Sequence, residues 1–135
     1  MSKLSAFLNP GKTESIKVVV SKRFKDESGK PVEWELVPRT TKEAQMLSKS
    51  CEKRDRKGNI SIDNISYQNK LICSCIVFPD LKSAELQEAF NVIGEEELLT
   101  TMLYPGEYAG LREKIYELCG LDDDINDDIE EAKNS

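Results

Sequence analysis

Two stretches near the start of the chain carry the signature of extended backbone. Residues Ile16 to Phe24 (IKVVVSKRF) are rich in β-branched side chains, and Val32-Glu33-Trp34-Glu35-Leu36 alternates apolar with acidic residues, as a strand with one buried face does. Between them, Asp26 to Pro31 is turn chemistry, with Gly29 free to take a positive φ. The pattern predicts a β-hairpin over about residues 15–37. Val32, Trp34 and Leu36 face inward in this reading, and Glu33 and Glu35 pair across the strands with Lys17 or Arg23. An isolated hairpin is marginal, so it must lie on helices.

The rest of the chain changes to helical spacing. Ser5 to Leu8 suits a single turn, stopped by Asn9-Pro10-Gly11. Thr40 and Glu43 have capping-box spacing and open a helix that runs to about Lys53, with Ala44, Leu47 and Cys51 on one side. Arg54 to Ser61 reads as a polar loop. Asp63 or Asn64 caps the next helix, which the apolar spacing carries through Phe78 to the stop at Pro79. Ile65, Ile72, Cys75 and Ile76 mark one of its faces. Its broad apolar surface makes it the central helix. Ser83 caps a third, with Leu86, Ala89, Phe90 and Ile93 inward and Gly94 at its end. Glu95-Glu96-Glu97 begins a fourth, where acids complement the positive end of the helix dipole, and Leu98, Leu99, Met102 and Leu103 form its apolar side. Pro105 suits the first position of a fifth, with Tyr108, Leu111, Ile115 and Leu118 on one face and Gly120 as terminator.

The expected fold class is therefore α+β: an N-terminal hairpin followed by about five helices over 40–120, in one domain spanning 1–121. Residues 122–135 form a separate acidic stretch, with seven Asp or Glu, one Lys and two isoleucines, the composition of a disordered tail. Asp122, Asp124 and Asn126 match the first side-chain positions of a calcium loop. The match then fails at Asp127, where glycine is needed, and at Lys133, where a glutamate belongs.

Charge sharpens the picture. The net charge of the 135 residues is -6, but residues 1–60 carry 14 Lys and Arg against 8 acids, and residues 61–135 carry 5 against 17. Such polarity orients a chain on a partner or on its own copies. The basic half is no nucleic-acid track: its cations alternate with acids, and only Phe24 and Trp34 interleave with them. The dense cluster Lys53-Arg54-Asp55-Arg56-Lys57 reads as a solvated loop. No apolar run approaches the roughly 20 residues that span a membrane, and the first residues lack a secretory signal, so a cytosolic protein is expected.

Candidate chemistry is sparse. With no histidine, Ser-His-Asp and Cys-His machinery and His-containing zinc sites are excluded. Cys51, Cys73, Cys75 and Cys119 form no C-x-x-C pair and read as small core residues. No catalytic, metal or cofactor site is expected, and an interaction or assembly protein follows by elimination.

Several motifs, taken in order, add to that. They are Ser21-Lys22-Arg23-Phe24-Lys25-Asp26, Gly29-Lys30-Pro31 and Glu33-Trp34-Glu35-Leu36, then Cys75 to Leu81 (CIVFPDL) and Ala84-Glu85-Leu86-Gln87. Gly94 to Leu99 (GEEELL) and Met102 to Tyr108 (MLYPGEY) follow. In this arrangement the chain resembles, over about residues 15–120, the tail assembly chaperones of PBSX-type prophages and related contractile-tailed phages of Gram-positive bacteria. Tyr104 departs from the small capping residue expected before Pro-Gly-Glu-Tyr. The resemblance implies a non-enzymatic protein of the host cytoplasm, absent from the mature virion. It would bind the tape measure protein, keep it soluble and help tail tube subunits assemble, with self-association possible. It implies no catalytic residue. A chaperone for helical, apolar-striped clients needs an adaptable apolar surface, and Leu98, Leu99, Met102, Leu103, Tyr108 and Leu111 are the candidate partner-binding residues. The alternative is a structural tail-completion or connector component.

Overall fold

The structure is a computed structural model that describes residues 3–11 and 14–121. The calcium-loop match and the acidic stretch 122–135 lie outside the described residues.

Strand β1 (Ile16–Val18) pairs antiparallel with β2 (Trp34–Leu36), Lys17 lying opposite Glu35. Trp34 and Leu36 are buried, as the alternation predicts, while Val32 is half-buried. The first strand is shorter than expected because the chain leaves the ladder after Val18. Its continuation serves as an anchor: Val20 and Phe24 pack against the core, and Ser21 is buried. Asp26 closes the turn by accepting from the Ser28 and Lys30 amides, with Gly29 at φ 84°.

The expected pairing of Arg23 with the strand glutamates is not formed. Glu35 accepts from the Ser15 hydroxyl, and the Arg23 guanidinium crosses to Glu107, donating to both carboxylate oxygens at 3.2 and 2.6 Å. Arg23 also donates to the Met102 carbonyl at 2.8 Å and stacks 4.2 Å from the Tyr104 ring centroid. This clasp ties the hairpin to the last helix.

Helix α2 (Thr41–Ser50) begins with the predicted capping box: Thr40 Oγ1 accepts from the Glu43 amide, and Glu43 accepts from the Thr40 amide. It ends earlier than expected. The predicted loop is instead a second hairpin, β3 (Glu52–Arg54) with β4 (Ile60–Ile62). Asp55 builds its tip by accepting from the Lys57 and Asn59 amides, while Gly58 takes φ 83°. Asp55 and Gly58 are thus turn chemistry for a tight connection, which the polar composition hid.

Helix α3 (Asn64–Cys75) is capped by Asp63, whose carboxylate accepts from the Ser66 amide. It is central as expected, packing against α2, α5 and α6. The helix stops three residues before the expected end. Ile76–Phe78 forms β5, which pairs with β2 and completes a three-stranded sheet in the order β1-β2-β5. Two β-branched residues and a phenylalanine beside an open sheet edge satisfy their backbone groups better as strand than as helix. Ile65 is exposed, since the first turn of α3 projects beyond the core.

Helix α4 (Ala84–Ala89) is short, because the backbone turns at Asn91 (φ 58°). That turn leaves Ala89 exposed and Ile93 91% exposed, where the spacing predicted an inner face. Gly94, at φ 100°, begins α5 (Glu95–Met102). Pro105 opens α6 (Pro105–Leu118). Tyr104 replaces a small cap without loss of the turn, because the Glu107 carboxylate accepts from the Tyr104 amide at 2.8 Å. Near the start, α1 (Leu4–Leu8) is a single helical turn.

The Glu107 clasp makes the fold acid-sensitive in a defined window. The Arg23 guanidinium first, then Ser21 and the Tyr104 amide, hold the Glu107 carboxyl down to about 2, from an ordinary 4.5. A carboxyl lowered in the folded state stabilises fully above its unfolded value and loses that contribution as pH falls toward the folded value. Glu107→Gln is therefore expected to lower the melting temperature at neutral pH and to flatten its decline between about pH 5 and about pH 2. Thermal melts across that range check it, and parallel declines in the two proteins would contradict it.

Candidate functional site

Five of the six candidate partner-binding residues fill the protein's own interior. Leu98, Leu99 and Met102 of α5, Leu103 after it, and Leu111 of α6 are all buried in one cluster with Trp34, Leu36, Ile72 and Ile115. The helix periodicity rightly marked an apolar face, but that face turns inward against α3. Tyr108, half-buried, bridges helices: its hydroxyl donates to Asn69 Oδ1 at 2.5 Å and accepts from Gln68 Nε2 at 3.1 Å. In this conformation these side chains form no external docking surface. Apolar surface has to be sought elsewhere.

An open cleft of about 740 Å³ lies between the α2–α3 pair and the segment from β5 to the start of α5. Leu47, Cys73, Ile76 and Leu81 give it apolar lining, and Ile93 stands at its edge. A second depression shares Arg39, Leu47 and Ser74 with this cleft and adds Met46, which is 65% exposed. Together they make a broken strip in which half-buried Leu47 and Ile76 lie between exposed Met46 and Ile93, with Arg39 and Ser74 interrupting the apolar lining.

Local structure explains the strip. The capping box fixes the direction of α2, and Arg39 locks its start to the end of α3, donating from Nε to the Ser74 carbonyl at 2.7 Å while pairing with Glu43 at 3.2 Å. The left-handed turn at Asn91 and the positive φ of Gly94 push Ile93 outward. Sequence periodicity missed Met46 and Ile93 because one lies off the inner stripe of α2 and the other looked like a continuation of α4.

The rim carries both signs of charge, with Glu95, Glu96, Glu97 and Asp80 alongside Arg39, Lys70 and Lys82. The three glutamates occupy the first turn of α5, as the dipole argument expects, and Glu96 accepts from the Ser66 hydroxyl at 3.2 Å. The Cys73 thiol in the cleft is pushed up to about 12, chiefly by burial and then by the charges of Glu95 and Glu96. It stays protonated at neutral pH and acts as a packing atom. Among the described residues no three Cys, Asp or Glu side chains are grouped to hold a metal ion. An apolar strip edged by mixed charges can take an amphipathic segment: the lining receives its apolar side chains, and the rim meets its polar flanks.

Known proteins are similar to this chain in sequence and in fold. A model of the phage XkdN-like tail assembly chaperone proteins matches residues 4–133. The PBSX phage-like element protein XkdN of Bacillus subtilis strain 168 is 34% identical over a 137-residue alignment, covering 96% of this chain and 93% of XkdN. YqbN of the same strain is 32% identical, covering 96% of this chain and 92% of its own length. A crystal structure of YqbN superposes with a TM-score of 0.74 at 26% identity, covering 90% of this chain and 99% of that one. No helix among the described residues is long and apolar enough to cross a membrane. From this match over nearly its whole length, the chain belongs to the XkdN-like family of phage tail assembly chaperones.

Proposed function

We propose that the protein binds the tape measure protein in the host cytoplasm, keeps it soluble and assists tail tube assembly, acting by binding and not by catalysis. The observation that carries this reading is the strip from Met46 to Ile93, exposed at both ends, on a chain of this family. A tape measure is a long, largely helical chain whose apolar stripe aggregates when bare. Methionine and isoleucine at the margins of an open cleft adapt to many such stripes with little demand on sequence. The mixed rim keeps the loaded complex solvated and tolerates clients of either charge.

A chaperone in this role leaves before the particle is finished. Mass spectrometry of mature tails purified from induced cells is expected to find tube and tape measure peptides without this chain, while the lysate contains it. Recovery of the chain in finished tails at a fixed ratio to tube subunits would overturn the reading in favour of a structural tail component.

A further inference from the structure

The β3–β4 hairpin carries an apolar patch that the chain's own core leaves uncovered. Ile60, Ile62 and, in the adjoining first turn of α3, Ile65 are exposed at 54%, 36% and 77%. In the hairpin register Arg54 lies opposite Ile60 and Glu52 opposite Ile62, and Arg56 and Lys57 sit in the tip; none of these three cations pairs with a carboxylate among the described residues, whereas Lys53 is held by Asp63 at 3.0 Å. Isoleucines beside a hairpin end that carries these three cations, with the acid Glu52 on the strand position facing Ile62, fit a partner with spaced aliphatic residues and a strong negative charge.

The chain contains such a segment. Residues 122–135 carry seven acids against one lysine, and Ile125 and Ile129 are four apart. The described residues end at Leu121, which lines a groove of about 330 Å³ with Thr41, Ala44 and Ser48 of α2 and Tyr67 of α3. Those α2 residues lie on successive turns, so the groove follows α2 toward its end, where β3 begins. Helix α2 has ten residues and spans only about 15 Å. The 14 residues after Leu121 reach up to about 46 Å when extended, so the hairpin is within range. We propose that the acidic segment 122–135 docks on the β3–β4 hairpin of its own chain, setting Ile125 and Ile129 against Ile60, Ile62 and Ile65 and its carboxylates against Arg54, Arg56 and Lys57. Docking within one chain covers an apolar patch that copies at high concentration would otherwise share, and the short tether favours it over pairing between copies.

Zero-length carbodiimide cross-linking of the full chain, read by peptide mass spectrometry, tests this. The reagent joins lysine amines to carboxylates in direct contact. The expected product links Lys57 or Lys53 to carboxylates of 122–131. In a mixture of unlabelled and 15N-labelled protein, both halves of the link carry the same isotope. Raising the salt from about 0.1 M to about 1 M shortens the screening length from about 10 Å to about 3 Å and weakens the link. The triple variant Arg54→Glu, Arg56→Glu, Lys57→Glu alters only exposed side chains and should cut the remaining link at Lys53 about tenfold, with the melting temperature kept. Links spread evenly over Lys22, Lys25, Lys82 and the hairpin lysines would overturn the proposal. So would links joining mixed isotopes, which assign the hairpin to the acidic segment of a second copy, or an acidic segment whose Ile125 and Ile129 amide resonances are unmoved by the triple variant.

Discussion

Replacing Leu99 with alanine is expected to destabilise the protein by about 3–4 kcal/mol and lower its melting temperature by about 10–15 °C. Leu99 is fully buried in α5, with Leu98, Ile72, Leu111 and Ile115 in the same cluster. Truncation removes three carbon atoms from water-free surroundings and leaves a cavity between helices that cannot close freely. Ile93, five residues before Leu98 in the same part of the chain, is the control. Its side chain is in solvent, so Ile93→Ala should change stability by no more than about 0.5 kcal/mol. Denaturant melts of both variants check the contrast. A Leu99→Ala protein as stable as the parent would show that this face of α5 does not hold the core together.

The largest functional effect is expected from Met46→Glu combined with Ile93→Glu. Both side chains are exposed, so the fold should survive with its melting temperature nearly unchanged. Each loses the transfer free energy of an apolar anchor, about 1.5–3 kcal/mol, and places a carboxylate where the client's stripe should lie. Affinity for the tape measure protein is expected to fall by at least about a hundredfold, measured by how much variant is needed to displace labelled parent protein from the coexpressed complex. Unchanged affinity would move the client to another surface, and a lowered melting temperature would reclassify these positions as structural.

Much of the architecture follows from local rules that the sequence displays. The alternation around Trp34, the Thr40–Glu43 capping box, the Ser83 cap and Pro105 at the start of α6 are each decided by neighbours within four residues, and each appears as expected. The misreadings share a physical cause. Ile76 to Phe78 is a strand only because β2, forty residues earlier, offers an edge. Arg23 finds Glu107 instead of Glu33 or Glu35 because α6 packs beside the hairpin. These outcomes depend on partners distant in sequence. The hairpin at Glu52–Ile62 is different, since Asp55 and Gly58 state its turn locally but few apolar residues mark its strands.

The candidate surface was less legible than the fold. Periodicity finds apolar faces, and in a domain this size nearly every strong apolar face belongs to the core. Leu98, Leu99, Met102, Leu103 and Leu111 are therefore the residues a pattern selects and the interior consumes. Exposed apolar residues break the pattern: Met46 sits off its helix's inner stripe, and Ile93 follows a turn that the helical spacing does not foresee. The family motifs carry the function further than the periodicity does, because they record selection on the whole molecule.

In the proposed function this chain solubilises a tape measure protein by binding it directly. Coexpression with the tape measure protein of the same gene cluster, followed by affinity capture and size-exclusion chromatography, tests it. The tape measure protein, insoluble alone, is expected to become soluble and to elute with several copies of this chain. A tape measure protein that stays insoluble, or that is soluble yet elutes without this chain, would contradict it.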